Sequence, residues 1–251
     1  MLGGVLAGCA APHKPATAFS TAFEYRDKGE MTEYRRALER EVKTNPGNLD
    51  ARYDLALDFE ESNHKEDARK LYEENLQHRW HFPSAINLAN LLQRQGDTAQ
   101  AEKILQQTSE HFPHEATPWY LLAGISAANG QNEQAKDQFG QAIAADPNNG
   151  FARLRFAEFL AAQGNLDEAT DQAHKAVALL PMCAPCWQGY GDILHQAGKD
   201  RDAVTAYQRS LALRPDPDTR LRLIRSLQAI NETVRAEHMR DALNALKSNA
   251  P

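Results

Sequence analysis

Apolar and small residues recur at helical spacing through most of the chain, most clearly from Trp187 to Pro215. Trp187, Tyr190, Gly191 and Leu194 fall on one face of a first helix, and Ala203, Tyr207 and Ser210 on one face of a second. Residues three or four apart share a side of a helix, so each set forms an apolar stripe. Gly198 separates the two stripes and Pro215 ends the unit. The pattern predicts a helix, a tight turn and a second helix.

The same arrangement repeats upstream. Laid on this stretch, the chain divides into units 49–81, 82–115, 116–149, 150–183 and 184–217. One position in each first helix is small: Ala56, Ala89, Ala123, Ala157 and Gly191. One position early in each second helix is alanine: Ala68, Ala101, Ala135, Ala169 and Ala203. Helices of a hairpin approach closely only where side chains are small, so these columns mark the crossing. Four residues after the alanine comes a filler: Tyr72, Leu105, Phe139, Ala173 or Tyr207. The turn column is Asn63, Gly96, Gly130, Gly164 and Gly198, residues that accept a left-handed backbone. Trp80, Pro113, Pro147, Pro181 and Pro215 end the units, and proline cannot continue a helix.

These columns resemble the tetratricopeptide repeat, a helix–turn–helix unit of 34 residues. The resemblance covers residues 49–217. It implies an all-α solenoid, a right-handed superhelix of antiparallel helix pairs. The flanks fit less well. Residues 16–46 lie on the pattern with Gly29 in the turn, but Tyr34 takes the alanine column, giving a degenerate N-terminal repeat over 25–48. Residues 218–251 read as degenerate capping helices, since a stacked array needs atypical ends.

Composition narrows the class. The chain has 251 residues, 42% apolar and 25% charged, with net charge −6. An acidic balance argues against nucleic acid as a partner, because phosphate binding needs a basic surface. No run of 18 apolar residues is present, so no membrane-spanning helix is expected.

Leu6-Ala7-Gly8-Cys9 resembles the lipobox of bacterial lipoprotein signals. The resemblance implies cleavage before Cys9, acyl chains on that residue, and with Ala10 following, the outer membrane. A protein so anchored would meet the membrane only through its lipid. Residues 1–24 then read as signal remnant and flexible tether. The other reading of Met1–Pro15 is a disordered apolar tail.

Candidate chemistry is sparse. No HExxH or GxSxG motif occurs, and no catalytic residue, cofactor, metal or small-molecule substrate is expected. Cys183-Ala-Pro-Cys186 is followed by Trp187 rather than His, so it is no haem attachment site. It lacks the strand–helix surroundings of a redox enzyme. A zinc site would need ligands such as His174 and His195. A structural disulfide is the preferred reading, worth about 2 kcal/mol for so short a loop, with packed free thiols as the alternative. His78, His81, His111 and His114 recur in register and read as solvated loop residues rather than metal ligands.

In tetratricopeptide arrays the first helix of each unit lines a concave groove. Placing those columns here gives Tyr53, Asn87, Asn90, Tyr120, Phe151, Arg155, Glu158, Gln188, Asp192 and His195. Aromatics, amides and charges suit a peptide or a partner helix. Ile86 occupies a column that is basic in chaperone-binding repeats, which disfavours chaperone tails. The expectation is a non-catalytic scaffold for a protein partner, similar to the lipid-anchored repeat proteins of pilus or secretion assembly. The alternatives are a soluble cytoplasmic adaptor and an accessory factor in cytochrome or redox maturation.

Overall fold

A computed structural model describes the backbone of residues 18–248 and the side chains of 18–241. Among these residues there are fourteen helices and no strand. They are α1 (Ala18–Asp27), α2 (Met31–Thr44), α3 (Leu49–Glu61), α4 (Lys65–His78), α5 (Phe82–Gln95), α6 (Thr98–His111), α7 (Ala116–Ala128), α8 (Asn132–Ala145), α9 (Gly150–Ala162), α10 (Leu166–Leu179), α11 (Ala184–Gln196), α12 (Asp200–Leu213), α13 (Pro217–Ala229) and α14 (Thr233–Ser248). The lipobox and Cys9 lie outside the described residues. Residues 18–24, expected within the tether, belong to α1, which is helical from Ala18 and buries Ala22.

The chain divides between Asp97 and Thr98 into two compact units. In the first, α1 packs on α2, α3 on α4, and α5 on α4. In the second, α6 packs on α7, and the hairpins α7–α8, α9–α10, α11–α12 and α13–α14 follow. Odd-numbered helices α7, α9, α11 and α13 neighbour one another in turn.

The turn column accounts for the hairpins. Positive φ occurs at Gly29, Asn63, Gly96, Gly130, Gly164, Gly198 and Asn231, positions 33 or 34 residues apart. Two of these lie outside the five units. Asn231, at φ 63°, gives α13–α14 the same turn, and Ala236, buried to 1% exposure, takes the alanine column. The C-terminal helices therefore keep the repeat geometry that the sequence pattern assigned only to caps. At the other end Tyr34 replaces the alanine and is still buried at 5%. It packs with Ala22, Leu38, Ala51 and Leu55.

The crossing columns form the core. Ala56, Ala68, Ala89, Ala101, Ala123, Ala135, Ala157, Ala169 and Ala203 are all fully buried. At Gly191 an added Cβ would sit 2.5 Å from Tyr207 Cε1, so the close approach of α11 to α12 requires glycine there. Phe139, Phe156 and Phe159 fill the space between α8 and α9 with stacked and tilted rings.

Three connections between successive helix pairs carry a clasp that the sequence pattern did not reveal. Arg52 donates through Nη2 to the carbonyl of Pro46 at 2.6 Å, Arg153 to that of Pro147 at 2.8 Å, and the Trp187 indole N–H to that of Pro181 at 3.0 Å. The three donors occupy one column, six residues beyond the proline each engages. A carbonyl just past a helix end has no partner in its own helix, and a long donor from the next helix satisfies it.

Candidate partner-binding face

The candidate face is built from the odd-numbered helices, and the structure sorts the ten groove residues into engaged and free. In the first unit, Tyr53 on α3 is half-buried, with its ring 6.0 Å from Tyr72 and 5.6 Å from His81. Asn87 Nδ2 on α5 donates to the Tyr53 hydroxyl at 3.2 Å and lies 3.5 Å from that of Tyr72. Burial raises the phenols of Tyr53 and Tyr72 above the ordinary tyrosine value. Tyr53 and Asn87 thus belong to a join between α3, α4 and α5. Asn90 is half-buried one turn further along α5.

In the second unit the same sorting holds. Tyr120 packs against Ala116, Ala142 and Ala152 on one side and the Phe156 cluster on the other. Gln188 Oε1 accepts from the Thr219 hydroxyl at 2.9 Å, tying α11 to α13. Asp192 Oδ1 accepts from the Tyr207 hydroxyl at 2.8 Å and from Arg222 Nη1 at 2.9 Å, linking α11, α12 and α13. Burial, and next the charge of Asp192, push the Tyr207 phenol well up. His195 is exposed, with Nδ1 paired to Asp200 and 3.2 Å from the Ser226 hydroxyl.

What remains open is centred on α9. Phe151, in its first turn, is 51% exposed. Arg155 follows one turn later, exposed, with Nη1 2.8 Å from Glu158 Oε2. Glycines stand on both neighbouring helices: a Cβ at Gly124 of α7 would meet nothing within 4 Å, and one at Gly189 of α11 only Leu154 and Glu158 at ordinary contact. Phe151, Arg155 and Glu158 therefore lie beside low ground on either side. Leu179, Met182 and Leu221 are further exposed apolar residues of this unit, with Met182 at 73%.

One cluster looks chemical and is structural. Ser84 Oγ lies 2.8 Å from His81 Nδ1, and His81 Nε2 lies 3.3 Å from Asp50 Oδ1. Such a serine–histidine–aspartate chain suits a nucleophile only where the hydroxyl can reach a substrate. Ser84 is fully buried, and its Oγ also accepts from Asn75 at 2.9 Å. The other nitrogen protons of this network go to the Leu49 carbonyl from Asn75 and to Asn75 Oδ1 from the buried Arg52. Desolvation lowers the His81 pKa, with Asp50 opposing it. Among the described residues no group of three or more His, Cys, Asp or Glu is arranged to hold a metal. None of the described helices is long and apolar enough to cross a membrane.

Cys183 and Cys186 are joined in a disulfide at the start of α11. Cys183 is the N-cap, its sulfur accepting from the Cys186 N–H at 3.2 Å. Cys186 is 1% exposed and packs with Leu154, Ala176 and Val177. The N-cap column was another signal missed in the sequence. Asn48, Asn149 and Asp216 fill it on α3, α9 and α13, each accepting from the N–H three residues on.

Hairpins on a constant turn column, with small residues at each crossing, define a class of helical repeat. Residues 119–232 match the tetratricopeptide repeat-like domain, and residues 86–149 match a tetratricopeptide repeat. The chain carries tetratricopeptide-repeat domains. No curated protein matches it in sequence. Among solved structures, a tetratricopeptide repeat protein from Parabacteroides merdae is 17% identical, with 91% of each chain covered and a TM-score of 0.64. Yeast Tom70 is 14% identical over 94% of this chain and 54% of its own, with a TM-score of 0.66. Cut9, in its APC/C hetero-tetramer with Hcn1, is represented by a match 16% identical over 86% of this chain and 43% of the other, with a TM-score of 0.67. At these identities the likeness is one of fold.

Proposed function

We propose that this chain is a non-catalytic scaffold that holds a protein or peptide partner against its odd-numbered helices. Repeat arrays of this kind present extended surfaces for partners. The observation that carries the reading is the exposure of Phe151 beside Arg155 on α9, between helices that present Gly124 and Gly189. An aromatic ring and a guanidinium on rigid helix are the residue types that dominate binding energy at protein interfaces. The proposed docking centre is Phe151, Arg155 and Glu158. Tyr120, Gln188 and Asp192 serve mainly to hold the helices around it, whereas Tyr53 and Asn87 join α3, α4 and α5 in the first unit.

The proposed setting is a bacterial envelope, with the chain anchored by lipid on Cys9 at the outer membrane and facing the periplasm. The work there would be assembly of a pilus or secretion machine. The lipobox-like Leu6–Cys9 supports the anchor. The Cys183–Cys186 disulfide supports an oxidising compartment, where such bonds persist.

Two experiments test this. Wild type and the Phe151→Ala, Arg155→Ala double variant are cross-linked in their native cells, and the captured proteins compared. The variant should lose a defined partner while its thermal midpoint stays unchanged; identical partner sets would overturn the docking centre. Labelling with radioactive palmitate should mark the wild type and not Cys9→Ala. Absence of label on the wild type would overturn the anchor.

A further inference from the structure

The N-cap column assigns Cys183 a role that a simple staple does not need. On α3, α9 and α13 the same position holds Asn48, Asn149 and Asp216, whose side-chain oxygens accept a first-turn N–H. The Asp216 carboxyl is held below the ordinary aspartate range by the Thr219 hydroxyl and N–H, so this position favours a negative charge. On α11 the acceptor is the Cys183 sulfur, tied up in a disulfide. A disulfide sulfur is a weak acceptor, whereas a thiolate is a charged one. Reduction would therefore complete the cap: a Cys183 thiolate would accept from the Cys186 N–H and face the positive end of α11. The first turn of α11 carries no acidic residue to oppose it.

Burial makes the pair unequal. Cys183 is partly exposed, beside Met182 at 73%, and Cys186 is closed off at 1%. An incoming thiolate can reach only the first sulfur. We propose that Cys183–Cys186 is a thiol–disulfide exchange site that accepts two electrons from a dithiol protein, with Cys183 as the attacked sulfur. A thiolate of the partner bonds to Cys183 Sγ, the Sγ–Sγ bond breaks, and Cys186 leaves as a thiolate that takes up a proton. The partner's second thiolate then attacks the partner sulfur of the mixed disulfide and releases Cys183 as the capping thiolate. The partner ends as a disulfide and the pair as a dithiol. The stability of the capped thiolate drives the exchange toward oxidation of the partner.

The test uses the full-length chain, with modified cysteines located by peptide mass spectrometry. Reduced Cys186→Ala treated with glutathione disulfide should form an adduct on Cys183, about tenfold or more faster than Cys183→Asp forms one on Cys186. Cys183→Asp keeps an oxygen cap, so its helix stays intact. In the second arm, oxidised wild type mixed with reduced ribonuclease A should remove two probe thiols per chain, and the Cys183→Asp variant none. Equal adduct rates on the two cysteines, or a wild-type disulfide left intact by the reduced probe, would overturn the proposal.

Discussion

Single residues separate what the repeat requires from what it leaves free. At Gly191 a methyl group would press on the Tyr207 ring, which is itself 1% exposed. Gly191→Ala should therefore destabilise the chain by about 1–3 kcal/mol, read as a lower denaturant midpoint. Phe151→Ala removes an exposed ring and should change stability by less than about 0.5 kcal/mol. Tyr120→Ala, by contrast, opens space between two apolar clusters and should lower the thermal midpoint. Asp216 gives a pH-dependent case. Losing its cap in Asp216→Ala should cost about 1 kcal/mol at neutral pH. Its folded pKa lies below the unfolded value of about 3.9. The stabilisation is thus present above that value and lost as pH falls through the folded pKa. The difference between wild type and variant should shrink when melting is repeated toward pH 3.

Helices and their joins show how far periodicity reaches. The crossing alanines, the turn glycines and the proline column were legible because each uses a residue type chosen by backbone geometry or by lack of space. Asn231 and Ala236 fill those same columns, yet they were overlooked because Ile224 replaces the small residue and no proline follows. The groove was less legible. A column position says which way a side chain leaves its helix, but not whether a neighbour has already taken its hydrogen bonds. Asp192 and Gln188 have the right polarity for a partner and instead join α11 to α12 and α13. Asp192→Ala would leave Tyr207 OH without its acceptor and should cost about 1–3 kcal/mol. Hydrogen exchange should speed up in α12 and α13 first, and uniform loss of protection would contradict this local role.

At the scale of the whole molecule, the hairpin α13–α14 covers an apolar side that would otherwise meet water. Leu223, Ile224 and Leu227 of α13 and Ala236 of α14 cover the apolar side of Leu194, Val204 and Tyr207. A chain ending at Pro215 should bind more of a hydrophobic dye and melt at a lower temperature. Repeat arrays need a covered end to remain soluble. Restoring α13 with α14 should reverse both effects.

The clasps from α3, α9 and α11 to the preceding proline carbonyls bear on how such an array would behave under mechanical load. Tension along the chain pulls directly on the short connections after α2, α8 and α10, where Arg52, Arg153 and Trp187 bridge the gap. In a single-molecule pulling experiment, Arg153→Ala should lower the force at which the connection between α8 and α9 extends and leave that between α10 and α11 unchanged. The array would then act as a spring whose individual links are set by single side chains.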